Sequence, residues 1–160
     1  MLEGGRVYVG SAMLGGGTVY SLDASTGVDD RIFTHGNGQV KGFVFPDRTS
    51  NDIYFATDDF VWGVTDTGLP AMTDKFGGPV SLPAGAKPSA VLFVPGSQYL
   101  YVGGTDGQLH EIDVLTLMLK AAPLGDGLAV VGAPSFDLGF DLVHVGTEGG
   151  IFYAVQTPLP

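Results

Sequence analysis

An all-β fold built from one repeated sheet is predicted by two features of the sequence. A short phrase of the Val-Tyr-Val-Gly type occurs four times, and its second residue recurs at intervals of 46, 47 and 43 residues, at Tyr8, Tyr54, Tyr101 and His144. No stretch shows the apolar period of about 3.6 residues that marks a helix. A repeat of about 40 to 50 residues made of short strands is typical of a β-propeller with one blade per repeat. We therefore predict a propeller segment of about four blades, with four antiparallel strands per blade.

The repeated phrase begins a β-hairpin in every unit. In the third unit, two β-rich runs, Tyr99 to Gly103 and Gln108 to Asp113, flank the dipeptide Asp106-Gly107. Asp-Gly between two such runs favours a hairpin with a type I′ turn. The corresponding hairpins of the other units are predicted at 7–23, 53–64 and 142–155.

An inner strand is predicted before each of the three later hairpins, and an outer strand after each of the first three. The inner candidates, 40–45, 89–94 and 130–136, carry small residues such as Gly42, Ser89, Ala90, Gly132 and Ala133, which suit the crowded axis of a propeller. The outer candidates lie near 30–34, 72–76 and 118–122. We expect one propeller segment over 1–160, with blades at roughly 5–34, 40–76, 88–122 and 130–157.

The first and last blades are predicted to be incomplete. We expect no inner strand before Gly5 and no outer strand after the last hairpin. Four such blades are about half of a ring of seven or eight, so two strand edges and two blade faces would be uncovered. The partner is then a protein or the missing half of the propeller, supplied by the same parent chain or by a second copy.

Composition excludes several classes of function. The chain of 160 residues has 7 basic and 17 acidic residues and a net charge of −10, so a nucleic-acid partner is not expected. It has no cysteine, which excludes disulfides, thiolate zinc sites and cysteine nucleophiles. No run approaches the roughly 18 apolar residues of a membrane span, so we expect no membrane insertion. The first five residues do not have the pattern of a signal peptide.

The first hairpin carries Val7-Tyr8-Val9-Gly10-Ser11 and then Val19-Tyr20-Ser21-Leu22-Asp23-Ala24-Ser25-Thr26-Gly27. These motifs resemble the quinoprotein-type repeat, also called the pyrroloquinoline-quinone-like repeat. The third unit is similar through 102–107 but has Leu117 where the pattern has glycine. The resemblance implies a propeller of an exported bacterial protein, periplasmic or extracellular. The vicinal cysteines and tryptophan-rich disc of quinone pockets are missing from the sequence, and so is the tryptophan of the outer strand.

The three histidines are not spaced to build a metal site locally. His110 and His144 stand where the repeat has tyrosine, so we expect them to pack between blades. His35 lies among Gly36, Asn37 and Gly38 and is expected in an exposed turn.

Acidic and glycine-rich runs have structural explanations. The pairs Asp29-Asp30 and Asp58-Asp59 lack the alternating spacing of a calcium loop, and turn chemistry explains them better. The repeat residues Asp23 and Asp113 should accept backbone amide hydrogen bonds in the turns that follow them. A glycine run at 15–17 is expected to be an insertion in a hairpin turn, because no Lys-Ser/Thr and no helix follow it.

No cluster of residues indicates a reaction. We therefore assign no catalytic, cofactor-binding or metal-binding residue, and we expect no cofactor. The sequence favours a non-catalytic scaffold or binding module that mediates protein–protein interaction, as the C-terminal part of a larger protein. Two alternatives remain: a fragment of a quinone-dependent dehydrogenase, and a propeller that binds a carbohydrate or a peptide.

Overall fold

The computed structural model describes residues 2–3, 5–12, 16–47, 49–68 and 71–160. Its strands form four antiparallel sheets, and within each sheet the strands follow one another in chain order. The first sheet contains β1 (Leu2–Glu3), β2 (Arg6–Gly10), β3 (Thr18–Asp23) and β4 (Asp29–Thr34). The second contains β5 (Lys41–Pro46), β6 (Asp52–Ala56), β7 (Val61–Thr65) and β8 (Thr73–Asp74).

The third and fourth sheets repeat this order. The third contains β9 (Pro88–Phe93), β10 (Tyr99–Gly104), β11 (Gln108–Asp113) and β12 (Leu119–Pro123). The fourth contains β13 (Ser135–Asp137), β14 (Leu142–Gly146) and β15 (Phe152–Gln156). We call these sheets blades 1 to 4. They confirm the predicted all-β propeller segment.

Three hydrophobic cores lie between consecutive blades. Blades 1 and 2 enclose Tyr8, Val19 and Phe55; blades 2 and 3 enclose a second cluster around Tyr54; blades 3 and 4 enclose a third around Tyr101. Because successive side chains of a strand point to opposite faces, each central strand contributes alternate residues to the core before it and the core after it. The repeat tyrosine always faces the following blade.

The first strands of the blades lie innermost, as their small residues predict. The strand β5 lies beside both β2 and β9. Gly42 approaches Ala90 so closely that a β-carbon at position 42 would collide with the Ala90 side chain. The Ser89 hydroxyl donates a hydrogen bond to the carbonyl of Gly132 at 3.0 Å. Small side chains therefore let neighbouring inner strands approach each other.

The blade ends differ in part from the prediction. Blade 1 has a two-residue inner strand, β1, paired with β2 where none was expected before Gly5. Blade 4 has three strands, as expected. The third hairpin turn is not the predicted type I′, because Gly107 has positive φ but Asp106 does not, and a type I′ turn needs positive φ at both central residues.

Helical structure is confined to a single short turn among the residues that the structure describes. This is a 3-10 turn at Pro83–Gly85. Within the same part of the chain, no helix has the length and apolar character needed to span a bilayer. The low helix content agrees with the sequence.

Candidate functional site: the Arg6 end of the blades

One end of the blades combines a charged cleft with exposed apolar turns. We call it the Arg6 end, because the second strand of every blade begins there, at Arg6, Asp52, Tyr99 and Leu142. The turns from first to second strand and from third to fourth strand also lie at this end. The antiparallel order of the strands places the remaining turns at the opposite end.

A cleft of about 510 Å³ opens at the Arg6 end between blades 1 and 2. At its base lies Asp66, which follows β7 and is 4% exposed. Its carboxylate accepts hydrogen bonds from the Tyr8 hydroxyl at 2.9 Å and from Arg31 Nη1 at 2.8 Å. The Ser21 hydroxyl and the Gly68 backbone amide donate further bonds at 3.3 and 3.2 Å. This one carboxylate therefore links β2, β3 and β4 of blade 1 to blade 2.

Two further charged groups of the cleft, Arg6 and Asp52, are also paired. The Arg6 guanidinium forms an ion pair with Asp30 and donates from Nε to the Ser21 hydroxyl at 2.9 Å. On blade 2, Asp52 accepts a hydrogen bond from the Thr65 hydroxyl at 2.6 Å and pairs with Lys75 at 2.7 Å. Arg6, Arg31, Asp52 and Asp66 therefore each have a partner of opposite charge.

The pKa values in the cleft follow from this pairing. Burial alone would raise the pKa of Asp66, but the hydrogen bonds from Arg31 and Tyr8 outweigh it and hold that pKa below its ordinary value. Burial, together with the bond to Asp66, raises the pKa of Tyr8 to about 12. The pKa of Asp52 is likewise lowered by Lys75 and Thr65 against the effect of burial. All three groups therefore keep their usual charge states at neutral pH.

Exposed apolar side chains lie in three turns of the Arg6 end. Two of them are the turns between the third and fourth strands of blades 1 and 3, and the other is the first turn of blade 4. The side chains, each 55% to 74% exposed, are Val28, Leu115, Met118, Leu138 and Phe140. Leu115 occupies the position that Ser25 holds in blade 1, and both backbone amides donate to the aspartate two residues before them. The turn therefore forms equally well with a polar side chain at this position.

The predicted histidines have different surroundings. His110 is fully buried, and its Nε2 lies 3.1 Å from both oxygens of Asp106. Contrary to the prediction, His144 does not pack between two blades of the chain; it lies on the outward face of blade 4, where its ring stacks on Phe152 with centroids 5.5 Å apart. The prediction for His35 was wrong. Its ring packs against Phe55 and Trp62 at centroid distances of 5.4 and 5.8 Å, and burial lowers its pKa.

The predicted acidic pairs contact basic side chains. Asp30 pairs with Arg6, Asp58 with Lys41 at 2.9 Å, and Asp59 with Lys87 at 3.1 Å. Turn chemistry alone was thus an incomplete explanation, although Asp58 also accepts a bond from the Gln39 amide at 3.0 Å. Among the described residues, no group of three or more His, Asp or Glu side chains is placed to hold a metal ion.

The two repeat aspartates behave as predicted. Asp23 accepts bonds from the amides of Ser25 and Thr26 at 2.9 and 3.0 Å, and the Ser25 bonds lower its pKa to about 2. Asp113 accepts the equivalent bonds from the amides of residues 115 and 116 at 2.8 and 3.1 Å. Of the glycine run, position 15 lies outside the described residues, whereas Gly17 is buried against the ring of His35.

A second buried carboxylate, which sequence reasoning missed, lies between blades 3 and 4. Glu111 is 2% exposed and accepts bonds from the Tyr101 hydroxyl and the Leu159 amide, both at 2.7 Å. Lys120 Nζ donates to the Leu159 carbonyl at 2.7 Å. The one available signal was the repeat tyrosine, since Tyr8 and Tyr101 each donate to a buried carboxylate.

No protein-family profile matches the chain, and no curated protein matches its sequence. Solved structures do match. The computationally designed Ika4 protein is similar with a TM-score of 0.68 and 21% identity, over 98% of this chain and 88% of that chain. The β-propeller domain of Cps50 (Swd1) from Myceliophteria thermophila gives a TM-score of 0.73 and 19% identity, over 94% of this chain and 49% of that chain.

BamB from Moraxella catarrhalis is also similar, with a TM-score of 0.64 and 16% identity, over 97% of this chain and 48% of that chain. This chain therefore spans about half the length of the Swd1 and BamB chains and most of the Ika4 chain. At these identities the similarity shows the fold alone. The chain is a four-bladed segment of the β-propeller fold.

Proposed function

We propose that this chain is a non-catalytic propeller module that binds a protein partner through the Arg6 end. The exposed apolar side chains of that end, defined above, support the proposal. Large apolar groups gathered on one surface are typical of protein-binding sites. Leu115 is the most informative, because Ser25 makes the same turn in blade 1. The turn can fold without an apolar side chain at this position, so folding does not explain why the position holds a leucine.

The test compares two ends of one molecule. The triple variant Leu115→Ser, Met118→Ser, Phe140→Ser removes apolar surface from the Arg6 end. The control, Leu128→Ser with Ile151→Ser, removes exposed apolar surface from the opposite end. We expect an extract of the source organism to yield a partner with the wild type and the control, and at least tenfold less of it with the triple variant. Equal recovery by the triple variant would refute the proposal.

The resemblance of the first and third units to the quinoprotein-type repeat supports a finer proposal. We infer that the parent protein belongs to the exported propellers and acts in the periplasm or outside the cell. Fractionation of the source organism with an antibody against this chain tests this inference. Recovery with cytoplasmic markers would contradict it.

A second candidate function rests on the cleft between blades 1 and 2. Its walls carry acidic, amide and hydroxyl groups, including Asp47, Asn51, Thr49 and Thr67, and such groups suit a carbohydrate or a polar peptide. A screen of oligosaccharides and peptides by chemical-shift perturbation would distinguish this from protein binding. Ligand shifts confined to the cleft, together with no partner in the extract, would favour the second function.

The third possibility, a fragment of a quinone-dependent dehydrogenase, has a direct test. With an alcohol or an aldose as electron donor, substrate-dependent reduction of an artificial dye after addition of pyrroloquinoline quinone and calcium would support it. A propeller that only binds a partner reduces no dye under these conditions.

A further inference from the structure

The three junctions between blades repeat one pairing of side chains. In each hydrophobic core, the same two positions of neighbouring blades occur together. One is the repeat tyrosine of the earlier blade. The other is the residue of the next blade that comes just before its repeat tyrosine or, in blade 4, just before His144. The three pairs are Tyr8 with Ile53, Tyr54 with Leu100, and Tyr101 with Val143.

A second pairing recurs nearer the opposite end of the blades. One member of this pair is the first apolar residue of the third strand of a blade. The other belongs to the next blade, where it comes just after the repeat tyrosine or, in blade 4, just after His144. These pairs are Val19 with Phe55, Val61 with Val102, and Leu109 with Val145. The strand pairings Gly10↔Val19, Gly103↔Leu109 and Gly146↔Phe152 show that Phe152 is the equivalent of Val19 and Leu109.

The two outward faces carry the unpaired members of this set. On blade 4, His144 stands at the tyrosine position and Phe152 at the position of Leu109, and their rings stack. On blade 1, Val7 and Val9 stand at the positions of Val143 and Val145. Phe152 is 69% exposed and Val9 is 45% exposed. Each face thus presents one half of the junction that forms three times inside the chain.

We propose that these two faces bind each other across two copies of the chain, so that His144 contacts Val7 and Phe152 contacts Val9 of the second copy. Blade 4 of each copy then packs on blade 1 of the other. The contact is heterologous, and it forms twice in a closed pair with twofold symmetry. The ring contains eight blades, and no apolar blade face stays in water.

The occupant is a second copy for two reasons. The outward faces of blades 4 and 1 carry the residue positions that pair at the three internal junctions. Each face can therefore be covered by the other face of a second copy. The sizes also agree, since the chain covers 49% and 48% of the Swd1 and BamB chains. Two copies therefore have the length of one such chain. An open filament of many copies would exceed this length. This inference does not depend on the proposed partner of the Arg6 end.

Light scattering coupled to size exclusion measures the assembly of the unmodified chain. We expect a single species at twice the chain mass of 16.6 kDa. The variants Val9→Asp and Phe152→Asp should each raise the dimer dissociation constant at least tenfold, because each places a carboxylate in an apolar junction. Leu128→Asp, at an exposed position of the β12–β13 connection, is the control and should remain a dimer.

Cross-linking tests the register. The chain has no cysteine, so only introduced thiols react. Val7→Cys with His144→Cys in one chain should give a covalent dimer with a short bismaleimide, whereas either single variant should give none. A dimer cross-linked by Val7→Cys alone would mean that like faces meet, and would overturn the proposal.

Two further outcomes would also overturn it. One is a monodisperse monomer with a sharp thermal transition, and the other is an open series of oligomers. Fluorescence of Trp62, which lies between blades 1 and 2, verifies that each variant is folded. A variant that loses both the fold and the dimer is replaced by the milder Val9→Thr or Phe152→Ala, each expected to weaken the dimer at least threefold. Undiminished association of a folded milder variant would contradict the proposal.

Discussion

The Tyr101 hydroxyl donates a 2.7 Å hydrogen bond to Oε2 of Glu111, and both side chains are almost completely buried between blades 3 and 4. The same oxygen accepts a bond from the Leu159 amide. A carboxylate on the third blade therefore holds the chain segment that follows the last strand. Burial, together with this hydrogen bond, raises the pKa of Tyr101 well above its ordinary range.

Glu111→Ala should destabilise the chain by about 2 to 4 kcal/mol, because two buried donors lose their acceptor. Tyr101→Phe removes only one donor and should cost about 1 kcal/mol. Urea unfolding followed by Trp62 fluorescence measures both. Glu148→Ala, in the exposed turn of blade 4, is the control. Equal midpoints for Glu111→Ala and the control would show that the buried bonds contribute nothing.

Asp66→Asn should make unfolding less sensitive to acid. The pKa of Asp66 is lowered in the folded chain, so the carboxylate stabilises the fold above its unfolded pKa of about 3.9. That stability is lost as the pH falls through the folded pKa. The urea midpoint of the variant should lie below that of the wild type at pH 7 and approach it below about pH 4. Asp29→Asn, an exposed neighbour, should follow the wild type throughout.

Gly103→Ala should cost about 1 to 3 kcal/mol, because a β-carbon there would meet the backbone carbonyls of Val131 and Gly132 on the next blade. Gly16 has open space around it and no positive φ. Gly16→Ala should therefore leave the free energy of unfolding within about 0.5 kcal/mol of the wild type. Thermal unfolding compares the two. A larger loss at Gly16 than at Gly103 would contradict the packing argument.

Ala84→Gly should stabilise the chain by about 0.5 to 1 kcal/mol. Ala84 is exposed and has a φ of 55°, a left-handed conformation that costs about 1 to 2 kcal/mol for residues other than glycine. Ala24→Gly, at an exposed turn position without positive φ, gains nothing and should lose about 0.5 kcal/mol through chain entropy. Midpoints of urea unfolding distinguish the two. A lower midpoint for Ala84→Gly would contradict the strain argument.

Strand positions could be predicted from the sequence because period-2 burial and turn residues are local signals. β11 begins and ends at its predicted residues, and the fourth hairpin begins at its predicted residue and ends one residue later than predicted. The inner strand of blade 4 was predicted at 130–136 but covers only Ser135–Asp137, and β8, predicted near 72–76, has only two residues. Asp74 ends this strand, and its carboxylate accepts a hydrogen bond from the Phe76 amide at 2.9 Å.

The charged cleft could not be predicted, because its members come from distant positions. Arg31 and Asp66 are 35 residues apart, and Tyr8 and Asp66 are 58 apart. Only the stacking of blade 1 on blade 2 brings them together. The prediction of an exposed turn at His35 was wrong for the same reason. Its glycine-rich surroundings in the sequence indicate a turn, whereas its burial arises from aromatic rings of the neighbouring blade.

Every blade consists of one uninterrupted stretch of chain, because the strands of each sheet follow sequence order. Duplicating or deleting one unit of 43 to 47 residues in the gene would therefore add or remove a whole blade without separating a strand from its neighbours in the sheet. The new junction would use the same tyrosine register as the old ones. The number of blades can thus change in evolution by recombination alone, before any point mutation improves the packing at the new junction.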